Sequence, residues 1–135
     1  MTTQAQWAAA SGKTACEVTF DHGWLVADLD AEAGGGRHPA PHDLLDAALA
    51  ACTTLTLELY IKRKGFDVDS LRVEVAHAKG ADGYRMTRTI HVAGRLSDEQ
   101  KAAVLRIAEA CPVHKTLTGK IAIVTEALQV VDAAS

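Results

Sequence analysis

From Pro41 to Lys64 the chain reads PHDLLDAALAACTTLTLELYIKRK, a helix whose apolar residues are not confined to one stripe. Leu44, Leu45, Ala47, Ala48, Leu49, Ala50, Ala51, Cys52, Leu55, Leu57 and Leu59 cover most of its circumference. A helix apolar nearly all round has to be covered on every side, inside a core or an oligomer interface. A chain of 135 residues can hardly wrap one helix completely, so the pattern predicts a homodimer that shares its core. Asp43 and Asp46 near the start and Lys62, Arg63 and Lys64 at the end complement the helix dipole. Pro41 suits the first turn, and Gly65 is a natural stop.

Strand patterns flank this helix. Residues 14–20 and 24–29 alternate in hydropathy around Asp21-His22-Gly23, which predicts a β-hairpin. The stretch from Glu32 to Pro41, with three glycines and two prolines, is a loop. It follows no strand-to-helix phosphate geometry. Beyond Gly65, residues 69–79 and 84–93 alternate around a Gly80-Ala81-Asp82-Gly83 turn and predict a second hairpin. On its return strand Arg85 and Arg88 lie three positions apart, so at most one looks inward. Ser97 and Gln100 form a capping box that opens a helix with Ala103, Val104, Ile107, Ala108 and Cys111 at helical spacing. Pro112 interrupts it, a short helical turn follows over 113–118, and Ile121–Thr125 reads as a last strand. The Ala/Ser tail is not expected to be ordered. With no repeat or linker, residues 1–135 read as a single α+β domain.

Charge and composition remove several function classes. Fourteen Lys+Arg against seventeen Asp+Glu give a net charge of −3, which argues against nucleic acid as a partner because phosphate neutralisation needs clustered positive charge. The aromatic content of 4% leaves no stacking platforms for single strands. No signal peptide and no long uncharged apolar run is recognised, so the expectation is a cytoplasmic protein with no membrane partner. Three cysteines are too few for a secreted disulfide framework.

Those cysteines are where chemistry can sit. Cys111 directly precedes Pro112, at or next to a helix N-cap, where free backbone N–H groups favour a thiolate. Cys52, mid-way along the apolar helix, has no such help and would need a neighbouring cation or base. An inward arginine could supply it. The alternative is that both are small inert core residues, and for Cys16 on its strand that is the natural reading. Cys111-Pro112-Val113-His114 has a C-x-x-H spacing that could offer two zinc ligands, but no second closely spaced pair accompanies it. His42 and Cys52 could join it only in space, and no metal is expected. His77 and His91 read as surface or packing residues.

Taken together, Pro39-Ala40-Pro41-His42-Asp43-Leu44-Leu45-Asp46-Ala47-Ala48-Leu49-Ala50-Ala51-Cys52-Thr53 resembles the P-x-x-L-L-x-A-A-L-x-A-C-T signature of the OsmC/Ohr superfamily. Ile107–Leu117, with Cys111-Pro112-Val113-His114-Lys115-Thr116-Leu117, is similar to its C-P-V-x-x-T-L segment. The resemblance spans about residues 14–126, in the branch with the P-H-D-L-L start and the Y-I-K-R-K-G helix end. It implies an OsmC-like α+β fold: an N-terminal β-hairpin, a long buried central helix, a second hairpin, and a C-terminal helix and strand, in an intertwined homodimer. It also implies a cysteine peroxidase for organic hydroperoxides or hydrogen peroxide, with Cys52 peroxidatic and Cys111 resolving through a disulfide. The active site would be an apolar pocket near the dimer interface, taking a small apolar hydroperoxide. An external thiol would serve as reductant, with no cofactor.

The family's peroxidases carry a glutamate near the helix start and an arginine upstream. Here His42 and Asp43 stand in the glutamate's place, and no arginine occurs before Arg37. Arg37 or Arg88 could provide the cation from another direction. Two other readings stay open: an OsmC-like dimer that binds a small apolar ligand with little or no turnover, and an acyl-thioester-handling dimer in which the cysteines are incidental.

Overall fold

The computed structural model describes residues 2–131. Its elements are β1 (Gln4–Gln6), a 3-10 turn (Ala9–Ser11), β2 (Cys16–Thr19), β3 (Trp24–Ala27), α1 (Pro41–Lys64), β4 (Asp67–Gly80), β5 (Gly83–Arg95), α2 (Asp98–Glu109) and α3 (Pro112–Thr118). They form two antiparallel sheets, β1-β2-β3 and β4-β5. This is the α+β architecture that the sequence predicts.

The central helix has the predicted bounds. Its first turn is closed by Asp43, whose carboxylate accepts the Ala40 N–H at 2.9 Å. At the other end Gly65 adopts φ 67°, a left-handed conformation that glycine enters without steric cost. The Phe66 N–H then reaches back to the Ile61 carbonyl at 3.1 Å. Hairpin β4-β5 runs alongside, its strands of 14 and 13 residues joined through a Gly80–Gly83 pair. Its half-buried residues alternate, with Leu71, Val73 and Val75 on β4 and Tyr84, Met86, Arg88, Ile90 and Val92 on β5. Arg85 is exposed, so of the two arginines Arg88 takes the inward place.

The core lies where α1, α2 and this hairpin meet. Leu57, Ile61, Val104 and Ala108 form its buried cluster, flanked by Phe66, Val68, Leu71, Ile90, Leu96 and Ile107. Complete burial of Leu57 alone stabilises the fold by roughly 1.5–3 kcal/mol. The predicted capping box positions α2: Gln100 N–H donates to Ser97 Oγ at 3.1 Å, and Ser97 N–H to Gln100 Oε1 at 3.0 Å.

The glycine loop before α1 is organised by a buried carboxylate. Asp28 accepts the Thr14 hydroxyl at 2.5 Å, the Leu29 N–H at 2.8 Å and the Gly35 N–H at 3.0 Å. The Thr14 hydrogen bond holds its carboxyl below the usual value, outweighing burial, with the two backbone donors adding to the effect. A Cβ at Gly34 would lie 2.8 Å from Asp28 Oδ1, so the glycine run admits this carboxylate rather than a phosphate.

Two expectations are corrected. The N-terminal hairpin gains a third strand, because Gln4–Gln6 pairs with β2 opposite Thr19–Glu17. No strand forms over Ile121–Thr125: among the described residues the backbone beyond Gly119 finds no hydrogen-bond partner, and Ile123 is 90% exposed. Within one chain α1 buries a single stripe, Leu49, Thr53, Leu57 and Ile61, while Leu55 and Leu59 stay 58% and 62% exposed. By length and composition alone α1 could also cross a membrane; here it packs along β4, α2 and α3. The Ala/Ser tail lies outside the described residues.

A register shift between Val68 and Ser70 places Gly94 opposite Val68. A Cβ at Gly94 would lie 2.3 Å from the Asp67 carbonyl oxygen and 2.8 Å from Val68 Cα. Both are backbone atoms, which cannot swing away. Gly94→Ala is therefore expected to lower stability by about 1–3 kcal/mol, read as a reduced urea midpoint with an unchanged m-value.

Candidate active site

Thr53 belongs to the inward stripe of α1, four residues after Leu49 and four before Leu57, and is fully buried. Cys52 precedes it, is turned about 100° away around the axis, and is half-buried. Cys111 sits where α2 has ended and Pro112 starts α3, which makes it the N-cap residue of α3. Its side chain is completely buried. This turn brings the two thiols to one place. The Val113 N–H donates to Cys52 Sγ at 3.5 Å, and the Thr53 hydroxyl lies 3.8 Å from Cys111 Sγ. Cys52 also lies 4.0 Å from the Thr56 hydroxyl.

Arg88 closes the site from β5. Its side chain is only 12% exposed. Nη1 donates to Thr53 Oγ1 at 3.1 Å and Nη2 to His114 Nδ1 at 3.1 Å. The Glu109 carboxylate lies 3.6 Å from Nη2 and 3.1 Å from His114 Nε2. With Arg88 donating to Nδ1, that nitrogen offers its lone pair, and the imidazole proton sits on Nε2 facing Glu109. Both ring nitrogens are thus engaged, and His114 is not free to join Cys111 as a metal ligand.

The electrostatics of Cys111 follow from this arrangement. Burial pushes its thiol up, but the Cys52 side chain, the His114 N–H, the Thr53 hydroxyl and the Val113 N–H together bring it below the ordinary thiol value. Each of these donors favours the charged form.

The other predicted site residues lie elsewhere. Arg37 is exposed on the loop before α1, and no hydrogen bond or ion pair among the described residues ties it to either thiol. Asp43 is occupied at the helix cap. His42 stacks on Tyr84 with ring centroids 5.2 Å apart. Tyr84 also stacks on His77 at 5.3 Å, and His77 Nδ1 pairs with the Asp46 carboxylate. Burial raises the Tyr84 phenol above its usual value, and the charges of Asp46 and Asp43 add to this. Asp43, Asp46 and His77 bring ligand-type atoms within 4.8 Å of one another, but the helix cap and the Asp46–His77 pair already employ them. Cys16 on β2 is half-buried and far from this chemistry in the chain.

A cavity of about 320 Å³ opens beside the arginine, lined by Leu45, Leu49, Met86 and Leu117 with Tyr84, Arg88, His114 and Thr118. Its surface is mainly apolar, with the Arg88–His114 pair as the polar feature. Neither cysteine lines it.

Sequence reasoning missed Thr53 and Glu109. A hydroxyl on the Leu49–Leu57–Ile61 stripe was a readable signal, because a buried polar group requires partners. Glu109 carried none.

Truncating His77 tests the role of the second cluster. Asp46, whose side chain is 15% exposed, would lose its partner while buried. His77→Ala is expected to cost about 1–3 kcal/mol by chemical denaturation, without changing thiol reactivity.

Comparison with known proteins agrees with this fold. The family model described as OsmC-like protein matches residues 34–126. No curated protein matches the chain significantly. Among solved structures, the OsmC-like protein of Mycoplasma pneumoniae is similar at a TM-score of 0.72 and 20% identity, covering 87% of this chain and 86% of that one. An organic hydroperoxide resistance protein OsmC from Legionella pneumophila gives 0.63 and 21%, with coverage of 87% and 88%. The organic hydroperoxide resistance protein OhrB of Bacillus subtilis gives 0.59 and 25%, with 87% and 90%.

Proposed function

The chain belongs to the OsmC-like protein family, and from that premise we propose that it is a thiol-dependent peroxidase reducing organic hydroperoxides or hydrogen peroxide at Cys52. The observation that carries this reading is the meeting of Cys52 and Cys111 at the start of α3, with the buried Arg88 one hydroxyl away. Related structures from Legionella and Bacillus bear the name organic hydroperoxide resistance protein, which supports the same chemistry here.

In the proposed cycle the Cys52 sulfur attacks the distal peroxide oxygen. The O–O bond breaks, an alcohol or water leaves, and Cys52 becomes a sulfenic acid. Cys111 then attacks the Cys52 sulfur, water departs, and a disulfide forms. An external dithiol returns both sulfurs to the reduced state. The apolar cavity beside Arg88 suits a small apolar hydroperoxide, with Arg88 joined to Cys111 through the Thr53 hydroxyl. A compartment kept reducing, such as the cytoplasm, suits a pair that must be re-reduced.

The working form in this proposal is a homodimer. Besides Leu55 and Leu59 on α1, Ile123, Val124, Leu128, Val130 and Val131 are 80–90% exposed. Large apolar side chains left this exposed suit an interaction site, and a second copy would cover both the helix and the unpaired C-terminal segment. The alternative, a dimer that binds an apolar ligand without turnover, is favoured by one observation: the cavity is lined by neither cysteine.

Two measurements test these readings. Reduced protein given cumene hydroperoxide or hydrogen peroxide is expected to lose two thiols per chain and to yield a mapped Cys52–Cys111 disulfide, both abolished by Cys52→Ser. Unchanged thiols after a large excess of peroxide would overturn the peroxidase reading in favour of the ligand-binding one. Light scattering after size exclusion is expected to give twice the 14.3 kDa chain mass, with Leu59→Glu shifting the protein to monomer; a wild-type monomer at micromolar concentration removes the dimer.

A further inference from the structure

We propose that Met86 is an oxidation site of the cavity beside Arg88: an organic hydroperoxide held there transfers its distal oxygen to the Met86 thioether and leaves a methionine sulfoxide. The inference rests on the hydroperoxide reading of the cavity given above, and it does not require the thiols to turn over.

Among the described residues, the one sulfur in the wall of this cavity of about 320 Å³ is that of Met86. The apolar remainder of the wall is Leu45, Leu49 and Leu117, hydrocarbon side chains with no lone pair to offer a peroxide. A hydroperoxide seated there therefore meets a thioether before it meets a thiol.

The surroundings of the thioether suit oxygen transfer. Met86 lies on β5 two residues before Arg88, so the two side chains share the inward face of the strand, and both residues are half-buried. A second cavity, of about 470 Å³, is lined by Arg85 and Glu109 together with Met86, Arg88 and His114. Met86, Arg88 and His114 thus border two spaces, an apolar one that suits a hydroperoxide and one whose charged side chains hold water. The Arg88 guanidinium has five N–H groups. Thr53 and His114 take one each, and Glu109 draws a third at 3.6 Å. Donors therefore remain for an oxygen that gains charge as the O–O bond breaks.

The step balances. A sulfur lone pair attacks the distal oxygen, the S–O bond forms and the O–O bond breaks. The departing alkoxide takes up the proton that the distal oxygen carried, relayed through water, and leaves as an alcohol. Sulfur gives up two electrons, the peroxide gains them, and no further reactant enters. The product is a polar, chiral side chain in a wall that was apolar, and only a methionine sulfoxide reductase restores it. Each such event makes the cavity less suited to its next apolar occupant.

The test uses the reduced full-length protein and cumene hydroperoxide in excess over all three thiols, with N-acetylmethionine amide in the same tube as the reference thioether. Peptide mass mapping follows the gain of one oxygen at Met86. A half-buried thioether with no oxidant held beside it oxidises more slowly than a free one, because susceptibility follows exposure. Met86 is instead expected to oxidise about tenfold faster than the reference, through proximity to the bound peroxide. Excess cumyl alcohol occupies the cavity without oxidising it, and Leu45→Trp fills it from a position that is 40% exposed. Each is expected to remove the advantage. Hydrogen peroxide, too polar to be held by apolar walls, is expected to show none. Oxidation of Met86 no faster than the reference overturns the proposal. So does an advantage that survives both cumyl alcohol and Leu45→Trp, or one equally large with hydrogen peroxide. Thiol counts on the same samples separate this site from the peroxidase reading. Thiols lost with Met86 intact leave the peroxidase standing without the site, and Met86 oxidised with the thiols unchanged leaves the site standing without the peroxidase.

Discussion

A guanidinium taken out of water must find acceptors, and Arg88 finds them on three helices. Thr53 belongs to α1, Glu109 to the end of α2 and His114 to α3. Leaving such a charge buried without partners costs several kcal/mol. The position of each helix relative to β5 is thus tied to one side chain, 12% exposed, and the place where the helices converge is where the two thiols lie. Removing the arginine would loosen the anchorage of α3, and with it the N–H groups directed at both sulfurs.

The same economy governs α1. The spacing that puts Leu57 and Ile61 into the core puts Thr53 and Leu49 on the same stripe, one and two turns earlier. One end of that stripe holds the hydrophobic cluster and the other holds Thr53, so the site is built against a rigid element. The helix does not need a loop to present Cys52. The adjacent residue, turned about 100° from the buried stripe, meets the start of α3, where the Val113 N–H reaches its sulfur.

Much of this was legible in the sequence, and the limits have physical causes. Helix α1 carried both of its stops, Pro41 and Gly65, and the long hairpin carried strict alternation and a Gly-bounded turn, so local chemistry defined them. Strand β1 was invisible because Gln4-Ala5-Gln6 has no apolar alternation and its pairing depends wholly on β2. Ile121–Thr125 has the composition of a strand, but a strand also needs an edge, and composition says nothing about where an edge is. At the site, the family signature pointed to Cys52 and Cys111, and the period-2 rule left one of Arg85 and Arg88 facing inward. Thr53 and Glu109 reach that arginine only through contacts between residues far apart in the chain, which neither periodicity nor spacing encodes. Arg37 was a candidate by order along the chain, and the loop that carries it simply leads elsewhere.

The placement of the two sulfurs has a thermodynamic corollary for the whole fold. Cys52 is on the central helix and Cys111 at the start of the last one, so a bond between them would close a loop of about sixty residues. In the chain-entropy account that restriction of the unfolded ensemble is worth about 4 kcal/mol. Oxidation state and folding stability would then be linked functions. The oxidised chain would resist unfolding more than the reduced one, and anything that steadies the native arrangement of α1 and α3 would make the disulfide harder to reduce. The reductant that resets such a protein works against the fold as well as against the sulfur–sulfur bond.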